Sequence, residues 1–374
     1  MRIGIDAMAL PDRPVGAGNY IIQLIRSLAG IAVQEELVIF VQRSRLPLLA
    51  VSENSRVRLV VVADKPVALR LLWEQTCFPI LVKRLGLDLL HSPHYTMPLA
   101  HPCRCVVTFH DMSFFLFPGL HTLPKRILFP LIIRASARRS DAIIADSEST
   151  RQDAIRLLGS PPSKITTVHL GVTADYKPIS DQARLESVRQ EYHLPERFIL
   201  YVGTVEPRKN LPSLLNAYQS LSERLPGWPL VIAGRLGWMY DAVMRLVKQL
   251  ALSEQVYFTG YVPEVDLPAL YNLANLVVYP SVYEGFGLPV LEAMACGVPV
   301  ITTNVSSMPE IVADAGVLIS PGDDPALAEA MKTLLTDPEK HRWFSEKGIQ
   351  RAAAFTWEKT AQETLKVYQR VQGV

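Results

Sequence analysis

The stretch RFILYVGTVEPRKNLPSLLNAYQSL (197–221) contains a strand, a turn and a helix in succession, and it decides how the rest of the chain is interpreted. Its apolar run ends at Val202, a turn with two basic residues follows, and an amphipathic helix begins near Asn210. Short apolar runs alternate with longer amphipathic segments on both sides of this stretch. Such alternation predicts an α/β fold with parallel, doubly wound sheets.

Two series of strands and helices are separated by a polar stretch, 173–196, in which no apolar period survives. The first series has predicted strands at 2–6, 36–41, 56–62, 87–93, 105–111, 141–147 and 164–172. The second series resumes with the strand that ends at Val202. We therefore expect two Rossmann-like domains, 1–180 and 181–356, that face each other across a central cleft.

Composition limits the possible classes of protein. The chain has 374 residues, of which 49% are hydrophobic and 20% charged, as is typical of folded proteins. The net charge of +2 gives no reason to expect binding to nucleic acid. Four cysteines form no CxxC pair, so we expect buried free thiols. Because we find neither a signal peptide nor an apolar run of about 18 residues, we expect a cytoplasmic protein.

The turn after Val202 carries the adjacent cations Arg208 and Lys209. Arginine offers a bidentate fork and lysine a compact charge, a combination that suits a diphosphate. A solvated basic turn is the alternative interpretation. We favour a binding site, because ligands of open α/β sheets bind after the strands and the next strand ends in a comparable sequence, AGRLGW (233–238).

A glycine-rich turn, SVYEGFGLP (281–289), precedes a short helix that Gly297 closes. Pro289 suits the first helical position, because that position needs no N–H donor. A helix N-terminus attracts anions through its N–H groups and its dipole, so this turn is predicted to bind a phosphate. The backbone amides expected there belong to Gly285, Phe286, Gly287 and Leu288.

Two glutamates flank this turn. Glu292 lies about one helical turn beyond Pro289, where a carboxylate can accept hydrogen bonds from a ribose diol. Glu284 precedes the turn, on the side where a sugar hydroxyl would lie. For Glu292 the alternative is a favourable interaction with the helix dipole alone, whereas the apolar surroundings of Glu284 offer no such explanation.

The first half of the chain holds two further candidates. His110 follows a strand in TFHDMSF (108–114) and can donate, accept or titrate near neutral pH, with a purely structural histidine as the alternative. Gly16 lies in RPVGAGNY (13–20), where the backbone can approach a ligand or simply form a turn. The dinucleotide fingerprint GxGxxG is not matched, because Ile21 stands where the third glycine is expected.

Four stretches resemble the retaining, nucleotide-sugar-dependent glycosyltransferases of family four, which have the GT-B fold. They are TFHDMSF, VGTVEPRKNLPSLLNAY (202–218), VIAGRLGW (231–238) and SVYEGFGLPVLEAMACGVPVITTNVSSMPEIVADAGVLISPGD (281–323). The resemblance covers most of the chain and is strongest from about residue 195 to 330. It implies an acceptor-binding N-terminal domain and a donor-binding C-terminal domain. Whether the C-terminal helix, about 357–374, packs back on the N-terminal domain is left open.

The resemblance also implies a role for each candidate. Glu284 matches the residue that binds the donor sugar, and Glu292 matches the one that binds the ribose. Arg208 and Lys209 match the residues that hold the diphosphate and offset the charge of the leaving group. His110 matches an N-domain histidine near the donor sugar. The other residues expected to bind donor or nucleotide are Gly16, Gly203, Gly234, Gly285, Phe286, Gly287 and Leu288.

The HDxSF and EPRKN forms look most like the bacterial branch that makes mannose-containing polysaccharides such as lipopolysaccharide. We therefore expect a retaining hexosyltransferase that moves mannose from GDP-mannose onto a glycan or lipid-linked acceptor. The alternatives are a transferase using UDP-glucose or UDP-N-acetylglucosamine, an epimerase, a phosphorylase, or a non-catalytic nucleotide-sugar-binding subunit. We expect no cofactor and no metal, since no DxD-type acidic pair follows a strand.

The segment LPKRILFPLIIRASARRS (123–140) mixes basic with apolar residues. On a helical wheel the charges spread around the axis and Pro130 interrupts the helix, whereas a membrane-surface helix would segregate its charges. A solvated helix flank is therefore the favoured interpretation. Peripheral contact with the inner face of a membrane, beside a lipid-linked acceptor, is the alternative.

Overall fold

The computed structural model describes residues 1–31, 34–51, 54, 56–235, 237 and 240–373. The chain divides into two compact units, Met1–Gly171 with Thr356–Val374, and Val172–Phe355. Each unit is built around its own parallel sheet with helices between successive strands. The expected pair of Rossmann-like domains is therefore confirmed.

Seven strands of the described chain form the sheet of the first unit, in the order β3-β2-β1-β4-β5-β6-β7. They are β1 (Arg2–Asp6), β2 (Glu36–Gln42), β3 (Val57–Val62), β4 (Leu89–Ser92), β5 (Arg104–Phe109), β6 (Ala142–Ala145) and β7 (Ile165–Thr167). The α-helices of this unit are α1 (Ala17–Ile31), α2 (Leu46–Leu49), α3 (Val67–Arg84), α4 (Ser113–Leu116), α5 (Leu123–Arg139), α6 (Glu148–Leu158) and α15 (Trp357–Gln372). Strand order reverses between β1 and β4, the type of position where ligands of open α/β sheets bind.

Helices cover both faces of this sheet, which explains why most of its strands are continuous apolar runs. One core layer includes Phe78 and Val82 of α3 and Ile133 of α5, packed on residues of β2, β5 and β6. The C-terminal helix α15 packs against α1 and contacts β5 and β6. Its Tyr368 hydroxyl lies 2.6 Å from Nδ1 of the buried His91, so this helix belongs to the first unit.

The sheet of the second unit has, within the described residues, six strands in the order β10-β9-β8-β11-β12-β13. They are β8 (Ile199–Val202), β9 (Leu230–Ala233), β10 (Val256–Gly260), β11 (Leu276–Tyr279), β12 (Val300–Thr303) and β13 (Val317–Ile319). The α-helices are α7 (Gln182–Glu191), α8 (Leu211–Arg224), α9 (Tyr240–Gln249), α10 (Leu267–Leu273), α11 (Leu288–Ala295), α12 (Met308–Val312), α13 (Asp324–Thr336) and α14 (Pro338–Ala352). The order reverses between β8 and β11, so the loops that follow these two strands meet at one edge.

The stretch between the two series of strands differs from its predicted irregular form. Helix α7 lies within it, capped by the Asp181 side chain, which accepts a hydrogen bond from the Arg184 amide. Only Leu185 and Val188 are buried on this helix, so its apolar period is too short to stand out in the sequence. The division between the units also falls after Gly171, before the expected boundary at 180. The Ile179 amide, for example, donates to the side chain of Asn272 in α10.

Helix α5 corrects a second expectation, because it runs through Pro130 without interruption. In the part of the chain that the structure describes, no helix is long and apolar enough to cross a membrane. The four cysteines are unpaired: Cys105 and Cys296 are buried as expected, whereas Cys103 is half-buried and Cys77 is exposed.

Candidate active site

The loops after β8 and β9 begin with the predicted glycines Gly203 and Gly234, and their backbones touch. Gly234 has φ +145°, and a Cβ at this position would lie 2.1 Å from the Gly203 carbonyl oxygen. Only glycine fits there, because the two loops approach each other backbone to backbone. In the stretch VIAGRLGW, Leu236 and Trp238 lie outside the described residues.

The basic turn forms a short 3-10 helix, Pro207–Lys209, and α8 begins just after it at Leu211. Its position is fixed by backbone hydrogen bonds to neighbouring loops. The Val205 amide donates to the Arg235 carbonyl at 3.0 Å, and the Val282 amide donates to the Arg208 carbonyl at 2.9 Å. The second bond joins this turn to the loop after β11, which carries Glu284.

Arg208, Lys209 and Glu284 form one ion-pair cluster. Arg208 Nη1 donates to Glu284 Oε2 at 2.6 Å, and Lys209 Nζ donates to Oε1 of the same carboxylate at 2.7 Å. Oε1 also accepts hydrogen bonds from Ser281 at 2.6 Å and from Tyr279 at 3.1 Å. The structure thus brings Glu284 into contact with Arg208 and Lys209, which lie 76 and 75 positions earlier in the chain. The sequence predicted the three residues as separate contacts to a donor.

Burial and charge together set the ionisation of this cluster. Burial raises the pKa of Glu284, but Arg208 and Lys209 outweigh it and lower this pKa to about 2. Lys209 is only 8% exposed, and burial followed by the charge of Arg208 lowers its pKa. Arg208 Nη2 also donates to Glu206 at 2.9 Å. A buried cation needs such a partner, so Glu284 holds both basic side chains in place.

The glycine turn leads into α11 as the sequence predicts. Gly287 has φ +116°, α11 begins at Leu288, and Pro289 occupies its first turn, where no intrahelical donor is needed. The Leu291 amide donates to the Gly287 carbonyl at 3.2 Å, so the first helical hydrogen bonds start from the turn itself. The Leu288 amide therefore lies at the positive end of the helix dipole.

Two serines that the sequence reasoning missed hold this turn in place. The Glu284 amide donates to Ser306 Oγ at 2.9 Å. Ser307 Oγ contacts two carbonyls, those of Glu284 at 3.1 Å and Phe286 at 2.6 Å. Both serines follow β12, the strand beside β11. A polar pair just after an apolar strand was the signal that could have identified them.

Glu292 is separate from this cluster. It is buried in α11, where the Tyr271 hydroxyl donates to Oε2 at 2.9 Å. Burial raises its pKa to about 7, although the hydrogen bond from Tyr271 acts in the opposite direction. The two predicted glutamates therefore lie in different environments, one held ionised by two cations and the other titrating near neutral pH.

The remaining predicted residues lie in the first unit. His110 follows β5; its Nδ1 is 2.7 Å from Asp146 Oδ2 and its Nε2 is 3.1 Å from the Pro93 carbonyl oxygen. Gly16 precedes α1 with φ +51°, and its carbonyl accepts a hydrogen bond from the Tyr20 amide at 3.0 Å. A Cβ on Gly16 would meet nothing within 4 Å, so its conformation, and not crowding, favours glycine.

A buried charged cluster, which lies where the strand order of the first sheet reverses between β1 and β4, was not predicted. Asp6, at the end of β1, lies 3.3 Å from Nε2 of His94, which follows β4. In α3, Glu74 accepts from Arg70 at 3.3 Å and from Thr96 at 2.8 Å. The ligand atoms of Asp6, Glu74 and His94 lie within 4.8 Å of one another, as in a cation site. Arg70 already supplies positive charge there, so an ion-pair network accounts for the cluster.

Comparisons with known proteins identify the family of the chain. Residues 14–176 match the family described as Glycosyltransferase Family 4, and residues 186–351 match Glycosyl transferases group 1. The chain is 39% identical over 280 residues to O-antigen chain mannosyltransferase B of Escherichia coli, covering 74% of this chain and 73% of that protein. It is 34% identical over 293 residues to the serotype-specific mannosyltransferase WbdA of Escherichia coli, but that match covers only 36% of WbdA.

Solved structures share the fold over the whole length of the chain. Sucrose-phosphate synthase from Thermosynechococcus elongatus has a TM-score of 0.80 at 23% identity, with 99% of both chains covered. HepE of Anabaena, in complex with UDP and glucose, has a TM-score of 0.78 at 18% identity, covering 99% of this chain and all of that one. With the sequence relatives above, they show that the chain belongs to the family-four glycosyltransferases of the GT-B fold and is a hexosyltransferase.

Proposed function

We propose that this glycosyltransferase moves mannose from GDP-mannose onto a glycan or lipid-linked acceptor during synthesis of a surface polysaccharide, with retention of configuration. The similarity to an O-antigen chain mannosyltransferase and to a serotype-specific mannosyltransferase supports the sugar and the process. The observation that carries the proposal is the buried cluster of Arg208, Lys209 and Glu284 beside the glycine turn. A UDP-sugar donor is the alternative that the nucleotide experiment below separates.

The diphosphate of the donor binds at Arg208, Lys209 and the amide end of α11 in this proposal. Both cations are ion-paired with carboxylates, Arg208 with Glu206 and Glu284 and Lys209 with Glu284. When the diphosphate binds, it replaces these carboxylates in part as the anionic partner of the two cations. The two charges and the helix dipole then stabilise the nucleoside diphosphate as it leaves, without a metal. Phe286 and the glycines on either side of it give the phosphates a backbone surface.

The sugar and the ribose bind on either side of the diphosphate. We assign the sugar hydroxyls to the region of Glu284 and the ribose diol to Glu292, whose carboxylate has Tyr271 as a second partner. The glycines Gly203 and Gly234, whose backbones approach closely at the end of the sheet, are assigned to the nucleotide. As the family resemblance implies, we assign His110 to the donor sugar and Gly16 to binding of the donor.

The proposed transfer follows a front-face route. The bond between C1 of mannose and the phosphate oxygen breaks, and an oxocarbenium-like centre forms. The acceptor hydroxyl attacks C1 from the face that the leaving group occupies, and its proton passes to a phosphate oxygen of GDP. Arg208 and Lys209 balance the charge that develops on that phosphate.

Nucleotide binding tests the assignment of the donor. Thermal unfolding of the full chain is measured with GDP, UDP and ADP, because a ligand stabilises the folded protein by about 2.7 kcal/mol at a hundred times its Kd. We expect stabilisation by GDP, which Lys209→Met abolishes and the control Lys332→Met, at a half-buried lysine of α13, preserves. Stabilisation by UDP alone would replace GDP-mannose by a UDP-sugar, and no response to any nucleotide would contradict the proposal.

We also propose that α5 contacts an anionic membrane surface. The helix exposes Leu123, Ile127, Leu128 and Leu131, and the segment 123–140 carries five basic and no acidic residues. Exposed apolar side chains enter the headgroup region, while Lys125 and its basic neighbours attract anionic lipid. This arrangement favours the alternative of membrane contact over a solvated helix flank.

Vesicle flotation tests this contact. The chain is expected to float with phosphatidylglycerol vesicles and not with phosphatidylcholine vesicles. Replacing Leu123, Ile127 and Leu131 by serine should abolish flotation, whereas Val265→Ser, an exposed apolar change in the second unit, should not. Unchanged flotation of the triple variant would contradict the proposed surface.

A further inference from the structure

Three neighbouring strands of the first sheet bring His110 between two oxygen atoms. The strands β4, β5 and β6 are adjacent, and the residues that directly follow them are Pro93, His110 and Asp146. Because parallel strands end at the same edge of a sheet, these three residues meet. The His110 ring lies with Nδ1 2.7 Å from Asp146 Oδ2 and Nε2 3.1 Å from the Pro93 carbonyl oxygen.

Both partners of this ring are acceptors when Asp146 is ionised; burial raises the pKa of Asp146, and the charge and hydrogen bond of His110 act in the opposite direction. A backbone carbonyl can only accept a hydrogen bond, and an ionised carboxylate can only accept as well. A neutral imidazole has one N–H, so it can donate to only one of them, whereas an imidazolium donates to both. His110 is 9% exposed and Asp146 is 2% exposed, so water does not replace either partner readily.

We propose that Asp146 is a positioning residue that keeps His110 as an imidazolium with both N–H groups donated to protein oxygens. His110 then contributes a fixed positive charge to glycosyl transfer and does not accept the proton of the acceptor hydroxyl. This inference rests on the proposed place of His110 at the sugar end of the donor. It agrees with the front-face route, in which a phosphate oxygen of the donor takes that proton.

Asp146 raises the pKa of His110 more than any other neighbouring group does, and Asp111 acts in the same direction more weakly. Burial lowers the pKa of His110, but the charge of Asp146 and its hydrogen bond raise it above the ordinary value overall. Burial lowers the pKa of His91 to about 3, so this neighbour is neutral. Among the residues that the structure describes, Tyr20, Tyr95, Asp111 and His169 also face His110 or Asp146.

The two tyrosines pack against the ring in T-shaped arrangements. Tyr20 and Tyr95 have ring centroids 5.1 Å and 5.7 Å from that of His110, at steep interplanar angles. Burial raises the pKa of Tyr20, so its hydroxyl stays neutral, and it shares a hydrogen bond with Thr108 at 3.0 Å. The carboxylate of Asp111 accepts the Ser113 amide at 2.8 Å. Asp146 is thus the carboxylate bonded to the ring.

Nitrogen NMR of the histidine-labelled full chain tests the proposal without requiring transfer. The His110 signals are assigned by their loss in His110→Gln and followed with pH in the wild type and in Asp146→Asn. We expect two protonated ring nitrogens in the wild type at about pH 7.5, and a pKa lower by about 1 to 3 in Asp146→Asn. Asp141→Asn, at the opposite end of β6, is the matched control and should leave the titration unchanged.

Transfer activity supplies the second readout. Above the new pKa of His110, transfer by Asp146→Asn should fall about tenfold per pH unit and should recover as the pH is lowered. Asp146→Glu, which restores the charge, should recover part of the activity at about pH 7.5. A neutral His110 in the wild type, or the same pKa in Asp146→Asn, would overturn the inference even if transfer is intact. If the chain did not bind the proposed donor, the titration of His110 would be unchanged. Failure of the proposed function is therefore distinguishable from failure of this inference.

Discussion

At the scale of single residues, the two glutamates around the glycine turn show how the environment of a residue type sets its pKa. Glu284 has two cations and two hydroxyls as partners, and the cations hold its pKa low despite burial. Glu292 has no cation among these partners and lies against the Tyr271 hydroxyl, so burial raises its pKa to about 7. The first is therefore ionised in the absence of ligand, whereas the second is half-protonated at neutral pH.

This difference predicts how GDP affinity depends on pH. Ribose hydroxyls donate more strongly to an ionised carboxylate than to a neutral carboxyl group. Because the pKa of Glu292 is raised to about 7, its ionised form gains as pH rises through that value, and GDP affinity should rise about tenfold between about pH 6 and pH 8. Calorimetric titration of the wild type and Glu292→Gln measures it. The ratio of their affinities removes the titration of GDP itself, and a ratio independent of pH would contradict the assignment.

At the scale of elements, the sequence predicted which functional groups follow strands, but it did not predict which of them are in contact. Polar residues directly after apolar strands identified Arg208, Glu284 and His110, because parallel sheets place such residues at one edge. The bond between Arg208 and Glu284 depends on the adjacency of β8 and β11, which are separated in the chain by three α-helices, two strands and the loops between them. Strand order is set by packing of the whole sheet, so no local pattern contains it.

Gly234→Ala tests the contact between the loops after β8 and β9. The new Cβ would lie 2.1 Å from the Gly203 carbonyl oxygen, and the backbone conformation alone costs about 1 to 3 kcal/mol. We expect a lower midpoint of urea unfolding and loss of GDP binding. Gly322→Ala is the control, because Gly322 also has positive φ but open space around it. Equal losses in the two variants would show that conformation, and not the close approach, governs the site.

At the scale of the whole molecule, the last helix returns to the sheet of the first unit. The sequence predicted α15 and the break before it, but left its partner open, because an amphipathic period shows that a helix has an apolar face and not what covers it. Thr360 supplies part of the answer, since its hydroxyl donates to the His169 carbonyl at 2.7 Å. Nearly two hundred residues separate these partners, and all of the second unit lies between them in the chain.

The dependence of the first unit on α15 can be measured in the full chain. Tyr368 is fully buried and its hydroxyl bonds to His91, so Tyr368→Ala should cost the first unit about 3 to 5 kcal/mol. Amide hydrogen exchange read by mass spectrometry should show loss of protection in β1, β4 and β5 and unchanged protection in β8 to β13. Trp343→Ala, an exposed aromatic change on α14, should alter neither sheet. Equal loss of protection in both sheets would mean that the two units unfold together and that α15 supports more than the unit it packs on.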